Sequence, residues 1–538
     1  MRARLWMALL VTFAAYIACM SAGYIWDDEA LILNNQALTH PTLRTLLGSD
    51  LWCCSGTTQS GYWRPLTTLS FYADVGLFGF NAAWAHLHSL GWHLLCTGLV
   101  GRLVAGRHGE VRGTIAALIF GVHPVLSEAV VWIAARNDLI ATALGLAALL
   151  AVERDRPAQV ALWALCAGLS KESSFLLPIL VVAWTVAHDG VPGLRTRGRA
   201  ILATGLGLGV AVGVRQFAVL GSMSDFHRVA LGDPLAPVYG IARLLGWVSW
   251  PWPLTGMATL YLPAPGLAVW LPCALTLLGA GASVLVSPRR ALGLLAFTVV
   301  AGAPMAAAIA VYATLGERYL YLPMVGVATL AATSVPLRRV TGLGLGMWAV
   351  GALTMLHLRL PDWVDPRAFF EAAVRSQQDS FSLNAYGQEL AKEGQKREAL
   401  DALERSLTAV PVRRFACASV PGVAGAVLDA TGFREHLALW RSAGCDAISE
   451  FEPNAAWTLA RLGDEEGALA MVDTMAAANG GVAAALQADV AARAGDIVLA
   501  AGIIACTDDV GDARARFDTL QILRSVPAGN GSAPSVGQ

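Results

Sequence analysis

Long apolar runs recur through the first 360 residues of this 538-residue chain and restrict its fold more than any other feature. About 20 consecutive apolar residues form a helix that crosses the hydrocarbon core of a bilayer. Hydrophobic residues make up 56% of the chain and charged residues only 14%, which exceeds what a soluble core needs. The sequence therefore predicts an all-α, multi-pass integral membrane protein with the lipid bilayer as a partner. Its net charge of −1 does not indicate nucleic acid as another partner.

The apolar runs predict eleven membrane spans. They lie at residues 5–23, 83–105, 113–127, 137–152, 158–170, 174–188, 200–220, 266–286, 291–311, 318–335 and 340–358. If the N-terminus is cytosolic, every basic loop is cytosolic too, as the positive-inside rule requires. Residues 236–254 are also apolar, but a crossing there would put Arg289 and Arg290 outside, so we predict a re-entrant or interfacial helix. Arg2 and Arg4 before the first run would also suit a signal peptide, but the length of the run favours an uncleaved anchor.

The C-terminal third lies on the outer side if the number of spans is odd. Between Leu383 and Pro411, apolar residues and glycines occupy the offsets of a 34-residue tetratricopeptide repeat, and half of that pattern recurs from Gly463 and from Gly495. We therefore predict a tetratricopeptide-like solenoid, with a plain helical bundle as the alternative. The predicted domains are 1–360 in the membrane, 366–524 as the repeat domain and 525–538 as a disordered tail rich in Gly, Ser and Pro.

Three acids, Asp27, Asp28 and Glu29, directly follow the first apolar run. Because a carboxylate at the bilayer centre costs about 2.5–3.5 kcal/mol, these side chains must lie outside the hydrocarbon. An acid at that depth is wetted on one side and faces lipid-borne chemistry on the other, which suits a catalytic base at the membrane surface. The alternative is that the acids only mark where the helix leaves the membrane.

Cations also gather in the loops predicted to face outward. Lys171 and Arg318 each open a predicted span, where a cation opposes the helix macrodipole unless an anion is present. Each could instead pair with its neighbouring acid, Glu172 or Glu317. In a further loop, Glu128, Trp132 and Arg136 are spaced by four residues and would line one face of an interfacial helix. All of these polar residues are predicted to share one side of the membrane.

This combination suits the transfer of a sugar from a lipid phosphate. A carboxylate can take the proton of an acceptor hydroxyl as general base. A phosphate leaves as a stable anion, and its developing charge is stabilised by cations such as those of Arg64, Arg136, Lys171 and Arg318. A single displacement with one essential carboxylate would invert the anomeric centre.

Seven motifs in order give the chain a family resemblance. They are Trp26-Asp27-Asp28, Trp63-Arg64-Pro65-Leu66, the stretch from His86 to His93, His123-Pro124 with Glu128-Ala129-Val130 and Arg136-Asn137-Asp138-Leu139, Ser170-Lys171-Glu172, Gly232-Asp233-Pro234, and residues 317–323 with Glu317-Arg318-Tyr319. In these motifs the chain resembles the transmembrane and tetratricopeptide-repeat O-mannosyltransferases, members of the GT-C glycosyltransferases. It departs from them at Gly232, where the family usually has Asp-Asn-Pro, and in its shorter repeat array.

The resemblance implies a GT-C fold and a polyprenyl-phosphate sugar donor, with mannose as the sugar. The acceptor would be a hydroxyl of a protein Ser or Thr or of a glycan, and the repeat domain would be expected to present it. It implies Asp27 as catalytic base and Asp28 as its partner. The residues it implies for substrate binding are Arg64, His123, Glu128, Arg136, Asp138, Lys171, Glu172, Glu317, Arg318 and Tyr319. No residue is assigned to a metal and no cofactor is assigned, although a divalent metal stays open.

Two other functions stay open from the sequence. One is a transporter or flippase-like protein for a lipid-linked anion, although a transporter should place ionisable groups at mid-membrane depth. The other is a membrane scaffold whose repeats bind a partner. The predicted location is the bacterial inner membrane or the endoplasmic reticulum, with the repeat domain periplasmic or lumenal.

Overall fold

The computed structural model describes residues 2–52, 61–218, 235–256, 258–259, 266–312, 314–410, 414–448, 451–464, 466–468 and 470–471. Most of these residues are helical, so the predicted helical class is confirmed. Two short strands, β1 (Ala258–Thr259) and β2 (Thr314–Leu315), pair antiparallel with Ala258 opposite Leu315. The chain divides into two compact units, Met1–Gln377 and Gln378–Gln538.

The first unit carries eighteen described α-helices. They are α1 Arg2–Tyr16, α2 Gln36–Thr39, α3 Leu43–Leu47, α4 Pro65–Phe78, α5 Ala82–His108, α6 Glu110–Val122, α7 Ser127–Val131, α8 Arg136–Glu153, α9 Pro157–Gly168, α10 Leu177–Asp189, α11 Gly193–Thr196, α12 Gly198–Ala218, α13 Ala236–Ser249, α14 Leu267–Val286, α15 Pro288–Tyr312, α16 Pro323–Ser334, α17 Arg339–Arg359 and α18 Pro366–Ser376. Short 3₁₀ turns join them at Ile17–Ser21, Pro124–Leu126, Ile133–Ala135, Glu172–Leu176, Glu317–Leu320 and Leu360–Trp363, and a π-helical turn lies at Glu29–Leu33.

Five helical segments of the described chain are long and apolar enough to cross a membrane. They are Ala3–Ser21, Ile133–Glu153, Gly198–Gln216, Leu267–Val286 and Thr341–Trp363. A sixth crossing is possible if Glu110–Val122 and Pro124–Val131, bent by 55°, form one broken span. Each of the eleven predicted spans overlaps a helix of the structure. Apart from these five segments and the bent pair, most of the overlapping helices are too short or too polar to count as membrane spans by themselves. The count of eleven stays a prediction.

Glycines let helices of the first unit approach closely. A Cβ on Gly293 in α15 would lie 2.6 Å from the backbone of Ala187 in α10, and one on Gly207 in α12 would lie 2.2 Å from the carbonyl oxygen of Ala161 in α9. Real Cβ atoms do not come so close, so both positions require glycine. Residues 236–254, predicted as a re-entrant or interfacial element, form helix α13 up to Ser249, and this helix packs on α14.

The described part of the second unit is also helical. Its α-helices are α19 Ser380–Lys392, α20 Lys396–Thr408, α21 Val420–Ala424, α22 Ala430–Ser442 and α23 Phe451–Arg461, with 3₁₀ turns at Arg414–Ala418 and Cys445–Ala447. Asp379 caps α19 by accepting hydrogen bonds from the amides of Phe381 and Ser382. The turn to α20 contains Gly394 at φ +83°, a conformation that favours glycine.

Helices α19 and α20 form the helical hairpin that the repeat pattern predicts. Leu403 of α20 lies 2.9 Å from the position that a Cβ on Gly387 would take, so the small residue lets the two helices pack. The recurrence from Gly495 lies outside the described residues, and the solenoid stays a prediction. A disulfide between Cys417 and Cys445 joins the two 3₁₀ turns of this unit, a pairing that the cysteine pattern did not predict.

Candidate active site

The loop after the first apolar helix is held in place by Asp28. This carboxylate is buried and accepts hydrogen bonds from the amides of Ile25, at 3.1 Å, and Ala134, at 2.7 Å. It therefore ties the loop to the turn before α8. Trp26 adopts φ +52° and stacks on Trp132 with ring centroids 4.9 Å apart. Such a backbone conformation is strained for tryptophan and persists only where the surroundings hold it.

Asp27 lines a cavity of about 440 Å³ in the first unit. Seven of the twelve predicted site residues line this cavity: Asp27, Arg64, Asp138, Lys171, Glu172, Arg318 and Tyr319. They come from the first loop, the start of α4, the first turn of α8, the segment before α10 and the turn before α16. Helix N-termini thus bring residues from most of the predicted motifs together around Asp27.

Each cation of the cavity has one carboxylate partner, and none of the partners is its sequence neighbour. Arg64 donates to Glu172 at 2.7 Å, and Lys171 donates to Asp138 at 2.6 Å. The Arg318 guanidinium is hydrogen-bonded to Glu128, whose other oxygen accepts from the Arg318 amide at 2.9 Å. The predicted alternatives, Lys171 with Glu172 and Arg318 with Glu317, do not form.

These ion pairs leave donors on the cations uncommitted. Lys171 donates one of its three ammonium hydrogens to Asp138, and Arg318 uses one guanidinium nitrogen on Glu128. Arg318 also lies over the rings of Trp132 and Tyr319, each 4.9 Å from its centroid. The stacking orients the guanidinium, so its remaining N–H groups are available to an anion in the cavity.

Asp27 is the exception among the charged groups of the cavity. Within the described ranges its carboxylate accepts no hydrogen bond and forms no ion pair of contact length, although the charge of Arg318 acts on it. Burial raises the pKa of Asp27 to about 6, and Arg318 opposes that shift. For Asp28, burial raises the pKa to about 8 against the two backbone hydrogen bonds. A carboxylate poised near neutral pH and free of partners is what a general base requires.

Other cavity-lining residues also have unsatisfied polar atoms. In the part of the protein that the structure describes, Trp132 Nε1, Asn137 Oδ1 and Glu172 Oε1 are buried and have no hydrogen-bond partner. Buried polar atoms in proteins are nearly always hydrogen-bonded, so one donor and two acceptors of this cavity are open to a polar partner.

The structure does not bring five of the predicted site residues to the surface of the cavity. Asp28 and Glu128 lie behind it, where they hold Ala134 and Arg318. His123 Nε2 lies 3.1 Å from the carbonyl oxygen of Val248. The other two belong to the ion pairs described next.

Arg136 and Glu317 belong to buried ion pairs that the sequence patterns did not predict. Arg136 is fully buried and pairs with Asp74 at 2.5 Å, and Glu317 pairs with Arg359 at 3.2 Å. The predicted continuous helix from Glu128 to Arg136 is wrong, because the chain breaks it at Trp132 and the Ile133–Ala135 turn. Asp74, an isolated acid within an apolar helix, was the signal for the Arg136 pair.

A metal site is not evident in this cavity. Among the residues that the structure describes, no group of three or more His, Cys, Asp or Glu side chains is arranged to hold a metal ion. His86 and His93, from the predicted second span, make hydrogen-bonding contacts to Gly23 and to Tyr321 and Gly121.

These features define a helical protein with membrane-length helices and a charged cavity beside its first extramembrane loop. No family model matches the chain, and no solved structure matches it. The chain is 29% identical over 150 residues to protein O-mannosyl-transferase TMTC3 of Homo sapiens, which covers 27% of this chain and 16% of that protein. It is 32% identical over 206 residues to protein O-mannosyl-transferase TMTC2 of Mus musculus, with 36% and 24% covered.

A third relative is protein O-mannosyl-transferase Tmtc2 of Drosophila melanogaster, 32% identical over 136 residues, with 24% of this chain and 14% of that protein covered. The resemblance to the transmembrane and tetratricopeptide-repeat O-mannosyltransferases that the motifs predicted is thereby confirmed. The matches span at most 24% of the length of these three relatives.

Proposed function

We propose that this chain is a membrane glycosyltransferase that moves mannose from a polyprenyl phosphate to a hydroxyl of a protein Ser or Thr or of a glycan. The observation that carries the proposal is the unpaired Asp27 carboxylate in a cavity with Arg64, Lys171 and Arg318. The names of the relatives support the sugar and the transfer to a hydroxyl. The cavity supports the anionic donor.

In the proposed reaction, the oxygen of the acceptor hydroxyl forms a bond to the anomeric carbon of the sugar. At the same time Asp27 takes the proton of that hydroxyl. The bond between that carbon and the phosphate oxygen breaks, and its electron pair leaves with the polyprenyl phosphate. The phosphate gains one negative charge, and the uncommitted N–H groups of Arg318 and Lys171 stabilise it. Because the acceptor attacks opposite the leaving group, the anomeric configuration inverts.

The ion pairs of the cavity explain how the site stays stable without a donor. Each cation is neutralised by Glu172, Asp138 or Glu128, so no unpaired cation has to be desolvated. An arriving phosphate shares these cations instead of replacing their carboxylates. Asp27 keeps its basicity for the acceptor proton because none of the three cations contacts it directly.

A small apolar pocket adjoins the cavity, and Asp138 and Ser173 line both spaces. The pocket has a volume of about 20 Å³, and its lining residues Leu146, Leu149 and Leu180 are buried, so it has room for about one water molecule and not for a polyprenyl chain. The Cys417–Cys445 disulfide supports an extracytoplasmic second unit, since disulfides persist in oxidising compartments.

The test is sugar transfer by purified Asp27→Asn in detergent with polyprenyl-phosphate mannose. We expect folded protein and transfer reduced by about 100-fold or more, the scale of a lost general base. Glu29→Gln is the matched control, because Glu29 is an exposed acid two residues away that does not line the cavity. Transfer by Asp27→Asn at the rate of Glu29→Gln would remove Asp27 from the mechanism.

A further inference from the structure

A second charged cluster lies at the end of the first unit opposite the cavity. Helices α8 and α10 begin at the cavity and end at this cluster, while α15 begins here and reaches the cavity with Pro304 and Ala308. With 18 residues, α8 alone separates the two sites by about 27 Å. We call the group the basic cluster; its members are Arg107, His108, Arg112, His188, Arg197, Arg289 and Arg290. The positive-inside rule predicts this end to be cytosolic.

Two arginines engage two carboxylates of this region. Arg107 donates to Glu153 at 2.7 Å and to Asp189 at 2.5 Å, and Arg197 lies 3.7 Å from each acid. Five arginines of the cluster thus face the carboxylates of Glu153 and Asp189, and Glu110 at the start of α6 is a third acid beside His108 and Arg112, so among the described residues positive charge remains in excess.

The other three arginines have no acid partner in the described part of the chain. Arg112 donates to the carbonyl oxygen of Ala332 at 2.7 Å, and Arg289 donates to that of His188 at 3.3 Å. Both are carbonyls near helix C-termini, where a cation is favourable. Arg290 makes no hydrogen bond within the described ranges, and its Nε is buried.

Two histidines complete the convergence. The rings of His108 and His188 lie 5.4 Å apart, and the Nε2 atoms of both are buried without a partner in the described structure. Burial lowers the pKa of His108 to about 4, and the charges around it, His188 first and then Arg290, add to that shift. Three buried nitrogens and an excess of positive charge therefore lie together, which is unfavourable without an anion.

Exposed apolar side chains flank the basic cluster. Leu285 and Val286 at the end of α14 are 86% and 66% exposed, and Leu292 in the first turns of α15 is 57% exposed. Val191, after the end of α10, is 68% exposed. Cations bordered by exposed aliphatic side chains suit a ligand that carries both a phosphate and acyl chains.

We propose that the basic cluster binds the phosphate of an anionic phospholipid, with Arg290, Arg112 and His108 at the headgroup and the acyl chains over Leu285, Val286 and Leu292. A phosphodiester carries one negative charge, which the surplus positive charge of the basic cluster neutralises. Guanidinium groups meet phosphate oxygens with paired N–H groups. His188 Nδ1 donates to the carbonyl oxygen of Trp184, so its Nε2 donates to the phosphate when the ring is protonated.

The test measures binding of dioleoylphosphatidylglycerol to the purified full chain in detergent by native mass spectrometry. The decisive variant is Arg290→Gln, which removes a charge without breaking any described hydrogen bond. We expect its affinity for the lipid to fall by about tenfold and that of Arg290→Lys, which keeps the charge, to fall less. Arg102→Gln is the matched control, because Arg102 is an exposed arginine on α5 outside the cluster.

Equal lipid affinity in Arg290→Gln and Arg102→Gln would overturn the site. Folding of each variant is checked by gel filtration. If Arg290→Gln aggregates, Arg289→Gln replaces it, and we expect the same loss of lipid affinity. Inorganic phosphate is added as a competitor of the bound lipid. If millimolar phosphate displaces little of the lipid, the result supports a phospholipid site. If phosphate displaces the lipid at a concentration equal to that of the lipid, the site binds free phosphate and the lipid proposal is overturned. Lipid binding is read independently of sugar transfer, so its failure leaves the proposed enzyme activity unaffected.

Discussion

Asp27→Asn should stabilise the protein while it abolishes sugar transfer. Burial raises the pKa of Asp27 from its ordinary value of 3.8 to about 6, so the ionised carboxylate is less stable in the folded protein than in the unfolded chain. This difference corresponds to about 3 kcal/mol above pH 6. Because water in the cavity solvates part of the charge, we expect a gain of about 1–3 kcal/mol for the neutral asparagine.

The sign of this effect sets its pH dependence. Below pH 3.8 the carboxyl is protonated in both states and the substitution changes little. Between pH 4 and 6 the unfolded chain ionises before the folded protein does, so the parent loses stability relative to the variant. Above pH 6 the difference is constant.

The assay is thermal unfolding of the parent and Asp27→Asn in the same detergent between pH 4 and 8. A gain of about 1–3 kcal/mol raises the Tm by several degrees at pH 7.5, and the gain should vanish near pH 4. Glu29→Gln, a substitution at an exposed position outside the cavity, is measured beside it as the control. A variant that melts below the parent at pH 7.5, or with the same gain at pH 4, would refute the reasoning that burial strains this carboxylate.

Three further outcomes follow from the structure. The kcat/KM for transfer should fall as the pH drops through about 6, because Asp27 must be ionised to accept a proton; a flat profile from pH 5 to 8 contradicts this role. Arg318→Ala should weaken binding of the polyprenyl-phosphate donor by about tenfold or more and that of the acceptor little, as measured by separate Kd values; equal donor Kd values refute it. Reduction of the Cys417–Cys445 disulfide, which closes 28 residues, should destabilise the second unit by about 2–4 kcal/mol, and an unchanged Tm in reductant would contradict that estimate.

Much of the fold could be predicted because it depends on local patterns. Every predicted span overlaps a helix, and the hairpin of α19 and α20 lies where the repeat offsets place it. The predicted helix from Glu128 to Arg136 rested on residues spaced by four. The chain instead breaks at Trp132, because the amide of Ala134 donates a hydrogen bond to Asp28, and the spacing of the residues does not show this contact. Periodicity records which residues are apolar, not where the backbone must turn to satisfy a distant acid.

The cavity was predictable in its membership and less so in its contacts. The loops expected on the outer side supply Asp27, Arg64, Lys171 and Arg318 to one cavity. Arg136 was predicted to join these residues on the outer side, but it is buried and pairs with Asp74 on α4. Both outcomes are compatible with the same topology, since a span fixes the depth of a residue in the membrane but not the direction of its side chain.

The sequence alone determined the helical class, the apolar segments and the presence of acids and cations beside them, because hydropathy and charge act on each segment separately. Tertiary structure alone decided the partners. Arg64 pairs with an acid 108 residues away, Lys171 with one 33 residues away and Arg318 with one 190 residues away, although Lys171 and Arg318 each have a neighbouring acid. Helix packing sets these distances, and it leaves Asp27 as the carboxylate of the cavity that no cation neutralises by contact.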